Sequence, residues 1–203
     1  MKLAILLARL PQADAMLRAA LASGVIGPNA VMRAVAEQAI DVVLGGLESQ
    51  GGDAGPVAAS ELSEAGAEVT RILALLAGLD GAKSSGEQRR RVHSLRQRVV
   101  ESCRARFETG LVGEFVAPLM LLRPGADPKA VTQLEDTARD LRKLELAARR
   151  LDARNGMDEQ LQRAAGEIGV MRQDGALELA DRVRLVEILA GPDMALALLD
   201  AGA

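Results

Sequence analysis

Apolar residues recur along this chain every three or four positions, in blocks separated by glycine, proline and small polar residues, and almost nowhere alternate one by one. Spacing of three to four puts side chains on one face of an α-helix, whereas a half-buried strand needs strict alternation. The pattern therefore predicts an all-α protein, an irregular multi-helix bundle of seven to nine helices with no β-sheet.

The blocks can be walked in order. A first helix is expected from Leu3 to Ala22, kinked or split at Pro11 and ended by Ser23-Gly24. Gly27-Pro28-Asn29 opens a second, with Val31, Val35, Ile40 and Val43 inward, and Gly45-Gly46 is expected to stop it. Gly51, Gly52, Gly55 and Pro56 extend that stop into the clearest linker of the chain. A third helix should run from Val57 to Leu79, with Leu62, Val69, Ile72, Leu73 and Leu76 inward and Glu61, Glu64 and Glu68 in an outer stripe.

Ser84 or Ser85 is placed to cap a fourth helix, which Thr109-Gly110 should break before the apolar segment Leu111 to Leu122. "RPGADP" reads as a loop, and Pro128 to Arg154 as the longest helix, whose Leu134, Thr137, Leu141, Leu144, Ala148 and Leu151 form a heptad seam. That seam suits a neighbouring long helix, in this chain or in a second copy. Asn155-Gly156 should end it, and two or three shorter helices follow: Met157 to Arg172, Ala176 to Leu189, and Pro192 to Leu199. The organisation expected is an N-terminal helical pair, 1–48, packed against a main bundle, 57–203.

Composition sharpens this picture in two places. With no Trp, no Tyr and only Phe107 and Phe115, the core must be built from Leu, Val, Ile, Met and Ala, which favours closely spaced helices. The single cysteine, Cys103, excludes an internal disulfide and gives no sign of an oxidising compartment, so a cytoplasmic setting is expected. Lys2, the apolar run after it and Ala20-Leu21-Ala22 imitate a secretory leader, but Arg9, Asp14 and Arg18 interrupt the run, and the segment is expected to be mature protein. Leu111 to Leu122 is too short to span a bilayer, which takes about 20 residues.

Charge is what singles out one helix. Eight basic residues (Lys83, Arg89, Arg90, Arg91, Arg96, Arg98, Arg104 and Arg106) and two acids (Glu87 and Glu101) make the segment from Lys83 to Arg106 +6, leaving the rest at −9 within a net charge of −3. Only four of the 25 basic residues are Lys, a bias toward Arg that a GC-rich genome produces unaided. On a helical wheel Val92, Leu95, Val99, Val100, Cys103 and Phe107 span an apolar arc of about 140°. Arg90, Arg91, Arg98 and Arg104 lie opposite, His93 sits at the boundary and Arg96 intrudes into the arc.

Most chemistry fails on inventory or geometry. A closed zinc site wants four ligands drawn mainly from Cys and His, and this chain has one of each. Carboxylate binding of magnesium by Glu61, Glu64 and Glu68, or by Glu135, Asp136 and Asp140, is the one metal option left, and such stripes are more often solvated or paired with Arg. His93 and Cys103 are ten residues apart, roughly 15 Å along a helix, far beyond the reach a nucleophile and its base need. "GLDGAKSSG" departs from a Walker loop because Ala82 separates Gly81 from Lys83 and no strand precedes it. Gly166-Glu167-Ile168-Gly169 has the spacing of a nucleic-acid-clamping loop but is acidic and lies in a helical pattern.

Three readings of the arginine face remain. The arginines can pair with acidic stripes such as Glu61, Glu64 and Glu68; they can dock an acidic protein partner or a second subunit; or they can hold nucleic acid, which an acidic chain without stacking aromatics argues against. "VHSLRQ" adds a fourth, a phosphate-accepting His93 with Arg96 close behind, although Gln97, Arg98, Val99 and Val100 are bulky where a docking receiver wants small residues. The functional expectation is a non-enzymatic helical interaction or adaptor module without cofactor or metal. Its expected partner-binding residues are Arg89, Arg90, Arg91, Arg98 and Arg104.

Overall fold

The computed structural model describes residues 30–49, 55–58, 60–80, 86–125, 127–153, 155–171 and 177–202. The first expected helix, the Ser84/Ser85 cap and the "GLDGAKSSG" loop lie outside them, apart from the loop's first three residues and its last, Gly86, which fall within helices. The described residues form α1 (Ala30–Glu48), α2 (Leu62–Asp80), α3 (Gly86–Thr109), a π-helical segment (Gly110–Val116), α4 (Ala117–Leu121), α5 (Pro128–Arg149), α6 (Met157–Gly169), α7 (Leu179–Ala190) and α8 (Pro192–Gly202). α3, the π segment and α4 run on without a break, so the described residues hold seven helical rods and no strand. The fold is all-α, as the apolar spacing predicts.

The chain divides into two compact units, residues 1–60 with 67–102, and residues 61–66 with 103–203. The division falls within α2 and α3, and the boundary expected between 48 and 57 lies inside the first unit. In the first unit α1 buries Ile40, Val43, Leu44 and Leu47, one face at helical spacing. Val31 and Val35, expected inward on the same helix, have side chains outside the described set. From α2 this unit takes Val69, Ile72, Leu75, Leu76 and Leu79, and from α3 Val92, Leu95 and Val99, all buried. Leu73, also expected inward, is only half-buried.

Two glycine-based expectations are corrected here. α1 runs through Gly45 and Gly46 to Glu48, and the α3 rod runs through Gly110 into the π segment. A glycine inside a helix costs about 1 kcal/mol relative to alanine. Burial of a Leu side chain is worth about 1.5–3 kcal/mol, so Leu44 and Leu47 in α1, and Leu111 and Phe115 in the π segment, outweigh the penalty. Gly110 is also closely packed: a Cβ there would come within 3.1 Å of Leu62 and 3.3 Å of Leu141, so those side-chain ends would have to give by a few tenths of an ångström.

The expected start of the third helix is corrected too. Pro56, Val57 and Ala58 form a turn, and α2 begins only at Leu62. Val57 is fully buried. Its backbone N–H and that of Ala58 donate to the Ser102 hydroxyl of α3, at 2.8 and 2.7 Å, so two donors with no helical partner are satisfied by one side chain. Gly55 takes a φ of +83° there, and a Cβ on it would lie 2.9 Å from the Ser102 Cβ.

In the second unit α5 is the spine, packing against the π segment, α6 and α7, while α7 also packs on α6 and α8. It ends at Arg149 rather than Arg154, and of the expected seam Leu134, Leu141, Leu144 and Ala148 are buried, Thr137 and Leu151 half-buried. Asp127 caps its N-terminus by accepting from Lys129 N at 2.9 Å, with Pro128 in the first turn. Both phenylalanines, Phe107 and Phe115, are fully buried in this unit. Gly166 and Gly169 lie within α6, not in a loop.

Candidate functional site

The cationic face of α3 begins from its helical register. Gln88, Val92, Leu95 and Val99 turn inward and are buried, which leaves Arg89, Arg90, His93, Ser94 and Gln97 exposed. Arg90, His93 and Gln97 follow one another at i, i+3 and i+7, with Arg89 four residues before His93, so the four share one face. Val100, counted in the apolar arc, is half-buried, and Arg96 at the edge of the arc is half-buried as well. Arg104 is exposed further along, in the second unit's share of the helix.

The expected partner-binding set separates into two groups. Arg91 is turned toward α1, where its Nε and Nη2 bind the two Glu48 carboxylate oxygens at 3.0 and 2.7 Å and its Nη1 binds Asp41 Oδ1 at 2.8 Å. The hydrogen bond to Glu48 raises the guanidinium pKa above its ordinary value. Arg98 Nη1 donates to the Glu48 carbonyl at 3.2 Å and so satisfies an acceptor at the C-terminus of α1. Buried Gln88 donates to the Glu37 carbonyl and to Asp41. Arg91 and Arg98 are thus a clasp on α1.

Arg89, Arg90 and Arg104 have no hydrogen-bond or ion-pair partner among the described residues. Each offers a planar fork of five N–H donors to solvent, a geometry suited to bidentate recognition of carboxylate or phosphate. Glu61 and Glu64 are exposed, and Glu68 pairs with Arg71 on its own helix. The internal partners are instead Asp41 and Glu48, seven residues apart on α1. Stopping α1 at Gly45 hid this spacing, because it put Glu48 in a linker.

The other sequence candidates resolve as follows. Cys103 is completely buried, and desolvation pushes its thiol pKa up to about 12, so it is an inert apolar residue at neutral pH. Of the carboxylates weighed for magnesium, Glu135 pairs with Arg139 and Arg184, Asp136 with Arg139 and Asp140 with Lys143. Among the described residues no group of three or more His, Cys, Asp or Glu side chains is arranged to hold a metal ion.

Buried polar groups in the second unit form a further layer. Arg106 in α3 pairs with Glu114 of the π segment at 2.7 Å. Glu145, fully buried in α5, accepts from Arg149 Nε at 2.7 Å, while Arg142 Nη1 lies 3.2 Å from its other oxygen, close enough for attraction but misaligned for a hydrogen bond. Arg182, also buried, donates to the Met171 carbonyl after α6. These are structural ties that sequence pattern did not single out. No helix among the described residues is long and apolar enough to cross a membrane. No protein-family model matches the chain, and no curated protein or solved structure matches it either.

Proposed function

We propose that this chain is a non-enzymatic helical interaction module, an adaptor of the cytoplasm, that docks an acidic protein segment on the outer face of α3. The observation that carries the reading is the division of the arginines. Arg91 and Arg98 are held by α1, whereas neighbouring Arg89 and Arg90 stand exposed without an ion-pair partner among the described residues. Cations that pair with nothing among the described residues are available to a partner, and Arg is favoured at interfaces for its bidentate geometry and weak hydration. Arg104, in the second unit, is exposed as well. The partner is an acidic protein, with a second copy of this chain as the alternative.

The test is a nuclease-treated pull-down from native extract, with wild type compared against Arg89→Glu/Arg90→Glu. Loss of a captured acidic protein from the variant, with rebinding of that purified protein to wild type alone, is the expected result. Capture of the same proteins by both would sink the reading. Binding to duplex DNA that weakens steeply with added salt would reassign the face to phosphates, and light scattering reports whether a second copy is the partner.

Exposure of His93 on the same face favours one second reading, acceptance of a phosphoryl group by its imidazole. Incubation with phosphoramidate followed by phosphorus NMR tests it. A phosphohistidine signal absent from His93→Gln would support it, and no signal in wild type removes it.

A further inference from the structure

The second unit carries another surface, independent of α3 and of opposite charge. A groove of about 620 Å³ runs between the π–α4 ridge and α5, open along its length. One wall is Glu114, Pro118 and Leu121, at i, i+4 and i+7; the other is Ala130, Leu134 and Thr137, with the same spacing. Two rows at that period leave a furrow into which the side-chain ridge of a third helix packs. From Ala130 to Asp140 the furrow is about 15 Å long, room for about three helical turns.

The rim and its surroundings define what fits. Leu121, which lines the groove, is 78% exposed, Met120 next to it in sequence is 70% exposed, and Val112 is 63% exposed on the same rod. Single exposed apolar residues are ordinary, but two in succession, one of them lining a furrow, mark a contact surface. No Lys or Arg lines the groove, while Asp136 and Asp140 do, together with Glu114, which is tied to Arg106. The unit that contains it has 14 basic against 19 acidic side chains, a net −5. Among the described residues Asp136 and Asp140 are paired only with Arg139 and Lys143, exposed cations one turn along α5, and pairs of that kind are weak and exchange readily.

We propose that this groove docks an amphipathic helix of a partner protein, with an apolar stripe in the furrow and Lys or Arg beside it facing Asp136 and Asp140. The exposed basic face of a second copy fits poorly, because Arg89, Arg90, His93 and Gln97 supply no apolar anchor. Recognition combines the helix-in-groove mode with charge selection.

The experiment uses the full chain with carbon-13 methionine methyls, the Met120 resonance being assigned with Met120→Leu. The probe is a synthetic Lys/Leu peptide of about four helical turns with its leucines on one stripe; the control has the same composition with the leucines dispersed around the helix. The striped peptide should move the Met120 methyl and bind about tenfold more tightly than the control. Leu121→Asn and Asp136→Lys should each weaken it several-fold with unchanged helical circular dichroism, and Arg89→Glu/Arg90→Glu should not. Equal affinity for both peptides, which reports net charge alone, or an unmoved Met120 methyl overturns the proposal. So does a dimer in light scattering that Leu121→Asn dissolves, because a second copy would then fill the groove.

Discussion

Ser102 shows how much one polar side chain can organise. It lies on the inner side of an otherwise amphipathic helix and is 2% exposed, and its hydroxyl accepts from two backbone N–H groups of the Val57 turn. Removing it leaves the buried Val57 N–H and the part-buried Ala58 N–H without that acceptor, so Ser102→Ala should lower the free energy of unfolding by about 1–3 kcal/mol, measured by urea denaturation. Cys103, the next residue, makes a pH prediction. Its thiol pKa is raised from 9.0 to about 12 by burial, so the unfolded chain ionises first as pH rises. The contribution is fully present below pH 9 and is lost between about 9 and 12, and native protein at neutral pH should not react with a thiol reagent until it unfolds. Neither arrangement follows from spacing alone, although burial of Cys103 does.

At the scale of elements, apolar periodicity located the helices well and their ends less well. Ile40 and Val43 of α1, Val69, Ile72 and Leu76 of α2, and Leu134, Leu141 and Leu144 of α5 all point inward as predicted. Glycine misled at Gly45 and Gly110, where neighbouring burial overrides the helix penalty. The reason a glycine is present differs by site. At Gly66 of α2 a Cβ would stand 3.2 Å from the Lys143 carbonyl of α5, a close approach of two backbones, whereas at exposed Gly113 it would meet nothing within 4 Å. Gly66→Val should therefore destabilise by about 1–3 kcal/mol through forced separation of α2 from α5. Gly113→Ala should be neutral or stabilising by up to about 1 kcal/mol, and thermal melts of the pair separate the two causes.

For the whole molecule, the segregated charge read from the sequence divides between internal and external work. Arg91 joins α3 to α1 through Asp41 and Glu48, so Arg91→Glu places a like charge against two carboxylates and should lower the melting temperature by several degrees. Arg89→Glu/Arg90→Glu touches no internal pair among the described residues and should leave it within about two degrees. That contrast is what makes the double variant a clean probe of docking, because a lost interaction cannot then be ascribed to loosened α1. Including Arg91 or Arg98 in the charge reversal would mix both effects.

Local pattern in the sequence determined that this protein is all-α, that α3 is amphipathic with an unusually basic outer face, and that Cys103 belongs to its apolar side. Each of these depends on residues within a few turns of one another, where helical geometry alone assigns a face. Tertiary structure decided which arginines are already committed, that Ser102 holds a buried turn, and that the rod after Gly110 borders an acid-rimmed groove with α5. Arg91 and Glu48 are 43 residues apart, Ser102 and Val57 45. Ion pairs and buried hydrogen bonds are satisfied by whatever packing brings near, and no period along the chain encodes that proximity.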